Sequence, residues 1–200
     1  KAKMEIKNRI GDMFRGKPYI KEYVPARKSV PANKIEIESA WKGLELIVED
    51  ILDRFNIGRG TCIEFGVEFG FSTVALSSYF NKVTGVDTFE GDIHTKHKGD
   101  HFEQTKERLS RFKNIKLVKF DYKDWIKSDT STYDFAHVDI VHTYAETYEC
   151  GLWAAQHCKC VIFHDTESFH EVRKAVIDIA KATRKKAYNY PFHHGLGIIV

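Results

Sequence analysis

Cys62-Ile63-Glu64-Phe65-Gly66-Val67-Glu68-Phe69-Gly70-Phe71-Ser72-Thr73 is the stretch on which the fold turns. A short apolar strand runs straight into two glycines and then into residues that open a helix. Glycine at a strand-to-helix turn lets a ligand approach the backbone closely, and the following helix start offers unbonded N–H groups. The pattern is not the dinucleotide fingerprint, which needs Gly-x-Gly-x-x-Gly to seat a pyrophosphate. Glu64, just ahead of the first glycine, also repels phosphate. A carboxylate in that place suits a cationic group such as an amino-acid ammonium. Read alone, the glycines fit a structural tight turn nearly as well.

Outward from this stretch the chain alternates regularly. Upstream, Trp41, Leu44, Val48, Ile51 and Phe55 recur at helical spacing, with Ser39 as a cap and Gly58 as a stop. Downstream, Ser72–Phe80 reads as a helix, Lys82–Phe89 as a strand, His101–Phe112 as a helix and Ile115–Tyr122 as a strand. Tyr133–Ile140 is a fourth strand, Tyr144–His157 a helix and Cys158–His164 a fifth strand. Val172, Ala175, Val176 and Ile179 mark another helix, and Tyr188–Tyr190 and Leu196–Val200 close the chain as strands joined by Pro191–Gly195. Strands of this length alternating with helices predict βαβ units. The expected architecture is a single α/β domain, Rossmann-like and doubly wound. Its mainly parallel seven-stranded sheet has an antiparallel C-terminal strand and helices on both faces. In such folds the ligand lies beyond the carboxyl ends of the strands.

Composition agrees with one well-cored domain: 200 residues, 42% apolar, 30% charged and a net charge of +3. That balance excludes a disordered polyelectrolyte, and no apolar run approaches the roughly 20 residues of a membrane span. The first twenty residues are charged throughout, so no secretory signal is expected. Cys62, Cys150, Cys158 and Cys160 form neither a disulfide framework nor a zinc-site spacing, which points to a reducing, cytoplasmic compartment. Charge is uneven, because residues 1–34 hold ten Lys/Arg against three acids. We therefore divide the chain into a basic lead-in or cap over 1–37 and a domain over 38–200. Such an arm attracts anionic partners or is simply a solvated lead-in, and its low density favours the second.

The polar residues of interest fall at strand ends. Asp87, followed by Thr88 and Phe89, stands twenty-three residues after Glu64, where an acid accepts hydrogen bonds from ribose hydroxyls. Asp121 and Tyr122 offer a carboxylate and an aromatic ring suited to an adenine. Each acid singly reads as an ordinary loop carboxylate; their succession after a glycine turn is what points to a site. Asp139 and His142 end the fourth strand, and His164 and Asp165 end the fifth. Two carboxylates suit Mg²⁺, and added imidazole admits Mn²⁺, Fe²⁺ or Zn²⁺. A histidine there is also a natural general base. The plainer alternative is an Asp bonded to backbone among packed histidines.

Five segments together resemble the class I S-adenosylmethionine-dependent methyltransferases. They are Glu64-x-Gly66-x-x-x-Gly70-x-Ser72-Thr73, Val86–Gly91, His137-Val-Asp139-x-x-His142-x-Tyr144, Phe163-His164-Asp165 and Gly195-Leu-Gly-Ile-Ile. Within that class the chain is similar to small-molecule O-methyltransferases, the group that includes macrolide-sugar enzymes and cephalosporin-hydroxylase-like proteins. The resemblance implies S-adenosylmethionine held by Glu64, Gly66, Gly70, Ser72, Thr73, Asp87, Thr88, Phe89, Asp121 and Tyr122. It implies methyl transfer to a hydroxyl of a sugar or natural-product-like acceptor, with His142 as base and Asp139 orienting the acceptor. A metal, Mg²⁺ or Mn²⁺, would sit on Asp139 and Asp165, with His164 standing where several relatives have an acid. The Pro-Gly-Gly turn usual before the fifth strand is replaced by Gln156–Cys160. The Glu90–His101 loop, with His94 and His97, and the segment Tyr19–Tyr23 are expected to cover the acceptor.

Three rivals stand beside this reading. RNA ribose 2′-O-methylation is open, whereas base methylation is disfavoured. The chain has neither an Asn/Asp-Pro-Pro-aromatic turn after the fourth strand nor a Pro-Cys nucleophile. A nicotinamide-dependent oxidoreductase on the same sheet and a non-catalytic cofactor-binding module are the others. A homo-oligomer is compatible with everything above; a membrane partner is not expected.

Overall fold

The computed structural model describes residues 19–95 and 99–200. Among the described residues, eight strands form one sheet: β1 (Ile20–Glu22), β2 (Thr61–Phe65), β3 (Lys82–Asp87), β4 (Ile115–Lys119), β5 (Tyr133–Val138), β6 (Cys158–His164), β7 (Ala187–Tyr190) and β8 (Leu196–Ile199). Their order is β1-β7-β8-β6-β5-β2-β3-β4. Only β8 runs against its neighbours β6 and β7. Among the described residues, six α-helices connect and cover the strands: α1 (Val48–Arg54), α2 (Phe71–Ser77), α3 (Phe102–Leu109), α4 (Tyr122–Ser128), α5 (Tyr144–His157) and α6 (His170–Thr183). None of the described helices is long and apolar enough to cross a membrane.

Alternation along the strands builds two cores. Ile63 and Phe65 of β2, Ala136 and Val138 of β5, and Val161 and Phe163 of β6 face α5 and α6. The intervening Cys62, Phe135, Cys160 and Ile162 face the opposite core with Trp41, α1 and α2. This is the two-residue period of a strand buried on both faces. It puts Glu64 and His137 on the second face, opposite each other in the β2–β5 register.

The seven expected strands form, and the lead-in adds an eighth. Ile20, Lys21 and Glu22 pair in parallel with Ala187, Tyr188 and Asn189, and Tyr23 N–H donates to the Asn189 carbonyl (2.8 Å). The placement of Tyr19–Tyr23 over an acceptor is therefore corrected. Tyr23 is buried, its hydroxyl donates to Asp50, and the Arg54 guanidinium covers its ring at 4.4 Å. Burial, helped by the neighbouring Asp50 carboxylate, pushes the phenol far above its usual range. The other Asp50 oxygen accepts the Ala26 and Arg27 amides, both at 3.2 Å, so this segment is bound to α1.

Several element ends fall a few residues short of the expected ones, and two of these differences have a clear cause. Gly43, at φ +102°, interrupts the helix expected from Ser39, leaving a 3₁₀ turn (Leu44–Ile47) ahead of α1. The third expected strand stops at Lys119, because Asp121 caps α4 by accepting the Lys123 amide (2.8 Å). Asp has that use at a helix start.

Candidate active site

A cavity of about 770 Å³ opens at the carboxyl ends of β2, β3, β5 and β6. That size suits a cofactor together with a small substrate. Gly66 begins its floor at φ +90°; a Cβ there would fall 1.7 Å from the Asp139 carbonyl oxygen. Only glycine permits β2 and β5 to end so close together. Asp87 fixes the next residues. Its Oδ2 accepts the amides of Val67 (2.7 Å) and Glu68 (2.9 Å), and its Oδ1 accepts that of Phe89 (2.9 Å). The same acid thus shapes the turn and faces the cavity, with about one lone pair to spare for a ligand.

Of the residues expected to hold a cofactor, Gly66, Ser72, Asp87, Thr88, Asp121 and Tyr122 line the walls. Glu64, Gly70, Thr73 and Phe89 lie behind them. Gly70 caps α2 at φ +94°. Phe89 is fully buried and packs on Phe102, ring centroids 4.9 Å apart. Glu64 is fully buried and accepts from Ser72 Oγ (2.6 Å), Thr73 Oγ1 and His137 Nδ1 (2.7 Å).

At the other side of the cavity the ends of β5 and β6 bring four predicted residues together. His164 Nδ1 is 3.2 Å from Asp139 Oδ2 and 3.3 Å from Asp165 Oδ2. His142 Nε2 is 2.9 Å from Asp165 Oδ2 and 3.5 Å from Asp139 Oδ1. Those His142 contacts are ion-pair distances without hydrogen-bond alignment, and neither ring nitrogen has an aligned partner. Burial alone would raise Asp139, but the His164 charge and its imidazole contacts hold it well below the usual carboxylate range. Burial would lower His142, yet the two carboxylates push it up to about 10. Burial would lower His164 too, but the charge and contact of Asp139, with the Asp165 charge and the His193 carbonyl, together shift it up. The two acids thus favour the charged form of His142, and Asp139 that of His164. In that state His142 holds a proton instead of taking one.

Asp139, His164 and Asp165 also present one ligand atom each within 4.8 Å of one another. Two carboxylates and an imidazole form a donor set that fits Mg²⁺ or Mn²⁺.

The Glu90–His101 loop does wall the cavity, through Asp92, His94 and His101 among others. His94 Nδ1 accepts the His142 amide (3.4 Å), and its ring sits 5.0 Å from that of His142 and 5.2 Å from that of Phe169. His97 lies outside the described residues. Several wall residues escaped the sequence reading. Ile37–Trp41 lines the cavity where Tyr19–Tyr23 does not. Phe169 stacks on His142 at 4.2 Å, and Ser168 Oγ meets His194 Nδ1 at 3.0 Å. His193 and His194 have φ of +53° and +70°, a left-handed conformation that concentrates at functional turns. The pair of histidines beside Gly195 was the available signal. His137 carried another, since the strand period sets it beside Glu64.

A fold and a site of this kind define a methyl-transfer enzyme. Residues 63–166 match the family described as a methyltransferase domain, and the chain belongs to that family. No curated protein matches it. Among solved structures it is similar to an O-methyltransferase from Bacillus cereus in complex with SAH. The two are 14% identical with a TM-score of 0.58, covering 86% of this chain and 84% of that one. The O-methyltransferase TomG from Streptomyces achromogenes, in complex with SAM, is 14% identical with a TM-score of 0.55, covering 75% and 76%. An rRNA methylase from Streptococcus thermophilus is 14% identical with a TM-score of 0.53, covering 82% and 98%. At these identities the likeness is one of fold.

Proposed function

We propose that the protein transfers a methyl group from S-adenosylmethionine to a hydroxyl of a small molecule, sugar-like or natural-product-like, with help from a divalent cation. One observation carries the reading. The Asp139–His142–His164–Asp165 cluster and the Asp87-braced Gly66–Phe69 turn share a single cavity. The acceptor is read as small because, among the described residues, the walls carry eight carboxylates (among them Glu38, Glu68, Asp92 and Glu146) and, apart from histidines, one cation. That cation, Lys123, is paired with Glu146 at 2.9 Å. Phosphate backbones need the opposite charge. The four cysteines are free and buried, in keeping with a reducing cytoplasm.

S-adenosylmethionine, when bound, supplies a methyl group on a cationic sulfonium leaving group, and a divalent ion supplies positive charge that acidifies an acceptor hydroxyl. The chain's own residues do the rest. The glycine turn, Asp87 and Asp121 bind the donor, and the walls exclude water and fix the approach for in-line displacement. Asp139, His164 and Asp165 would hold the ion and orient the hydroxyl. Once those carboxylates are committed elsewhere, His142 loses the partners that hold its proton and becomes a base near neutral pH.

Calorimetric titrations with S-adenosylhomocysteine and NAD side by side test the cofactor. Binding of the first alone is expected, and binding of NAD alone contradicts the reading.

A further inference from the structure

Behind the cavity floor lies a closed chain of hydrogen bonds. Trp41 Nε1 donates to His137 Nε2 (3.2 Å), and His137 Nδ1 donates to Glu64 Oε2 (2.7 Å). Glu64 in turn accepts the hydroxyls of Ser72 and Thr73 in the first turn of α2. All five side chains are buried; Glu64, His137 and Thr73 are at 0% exposure and Trp41 at 2%. Indole nitrogen is a donor only, so His137 must accept at Nε2, which leaves the imidazole hydrogen on Nδ1 for Glu64. Donors and acceptors match along the whole path, and its direction is fixed by the tryptophan.

The two ends of this path belong to different parts of the molecule. Trp41 ends the Ile37–Trp41 wall of the cavity, whereas Ser72 and Thr73 follow the Gly66–Gly70 turn. Glu64 and His137 sit on adjacent central strands in direct register. Without the indole N–H, the His137 Nε2 acceptor is stranded in the core. The ring can recover a partner only by turning, which takes the Nδ1 donor from Glu64.

We propose that Trp41 is a positioning residue for the cofactor. Through His137 and Glu64 its indole N–H sets the start of α2 and the glycine turn, so that docking of the 37–41 wall and binding of S-adenosylmethionine are coupled. This rests on the methyltransferase reading of the cavity. Coupling of this kind is reciprocal: the wall raises cofactor affinity, and the cofactor holds the wall in place.

The test is calorimetric titration of S-adenosylhomocysteine into the wild type, Trp41→Phe, His137→Leu and His137→Gln. Trp41→Phe keeps a ring and loses the donor; His137→Gln offers an acceptor for the indole and a donor for Glu64. Trp41→Phe and His137→Leu are expected to weaken binding on the order of tenfold, and His137→Gln to restore most of it. A merely structural role would not distinguish Gln from Leu in this way. In the wild type alone, S-adenosylhomocysteine is expected to slow hydrogen exchange of the Trp41 indole and of the amides of residues 37–41. Unchanged exchange, or a Trp41→Phe protein that binds as tightly as the wild type, overturns the coupling and leaves the enzyme class standing. A wild type that binds no S-adenosylhomocysteine overturns the cofactor reading first, and this proposal with it.

Discussion

Asp87 does two jobs with one carboxylate. It was chosen from the sequence for a ligand's ribose, yet three of its hydrogen bonds brace the backbone of residues 67, 68 and 89. Replacement by Ala removes charge-assisted bonds from the turn as well as a ligand contact. We expect Asp87→Ala to weaken S-adenosylhomocysteine binding by roughly a hundredfold or more in a calorimetric titration, as loss of several such bonds implies. Affinity equal to wild type would remove Asp87 from the cofactor site. His142 titrates the other way from an ordinary base. Its pKa is raised from 6.5 to about 10 by the Asp139 and Asp165 contacts, against burial. A raised pKa in the folded state means stabilisation complete below pH 6.5 and lost as pH climbs through about 10. His142→Ala should therefore be less stable than wild type at pH 6, and the gap should close by alkaline pH in urea titrations at each pH. A gap that widens with pH contradicts the ion-pair assignment. The same variant should lose turnover while keeping cofactor affinity.

The elements were legible where hydrophobic period and strand ends coincide. Ile63, Phe65, Ala136, Val138, Val161 and Phe163 carry a two-residue rhythm, and their strands pair in parallel, as the expected sheet requires. β1 was hidden because Ile20-Lys21-Glu22 is three residues long and mostly exposed, set among prolines and charges. What holds it is remote in sequence: β7, and Asp50 on α1. α4 was missed because Asp121 was read as a strand end, although an Asp followed by a helix-compatible run also marks an N-cap. Of the candidate site, Asp87, Asp121, Asp139, His142, His164 and Asp165 are legible at strand ends, and all six line the cavity. Trp41 reads from the sequence only as one apolar position in a helical spacing, because an indole's partner is not visible there. Tyr23→Phe tests the corrected role of the lead-in. It should lower stability by about 1–2 kcal/mol, the usual effect of one lost buried hydrogen bond. Cofactor binding should be unchanged. Weakened cofactor binding without loss of stability would return the segment to the cavity.

For the whole molecule, the net +3 is the sum of unlike parts. Residues 1–34 hold ten Lys/Arg against three acids, and eight carboxylates line the cavity among the described residues. Residues 1–18, which carry six of the ten cations, lie outside the described residues. On the proposed reading, the acidic walls among the described residues suit a cationic donor better than a polyanion. Exhaustive chelation should abolish turnover and leave S-adenosylhomocysteine binding intact, with Mg²⁺ or Mn²⁺ restoring activity; full activity after chelation would remove the metal. The central claim is transfer to a small hydroxyl compound in this cavity. Its most direct test incubates the wild type with a cell extract and S-adenosylmethionine carrying an isotope-labelled methyl, then separates low-mass metabolites from RNA. The account predicts label on an oxygen of a low-mass compound, absent when Asp139→Asn replaces the wild type. Label confined to the RNA fraction, or low-mass labelling that survives Asp139→Asn, would contradict it.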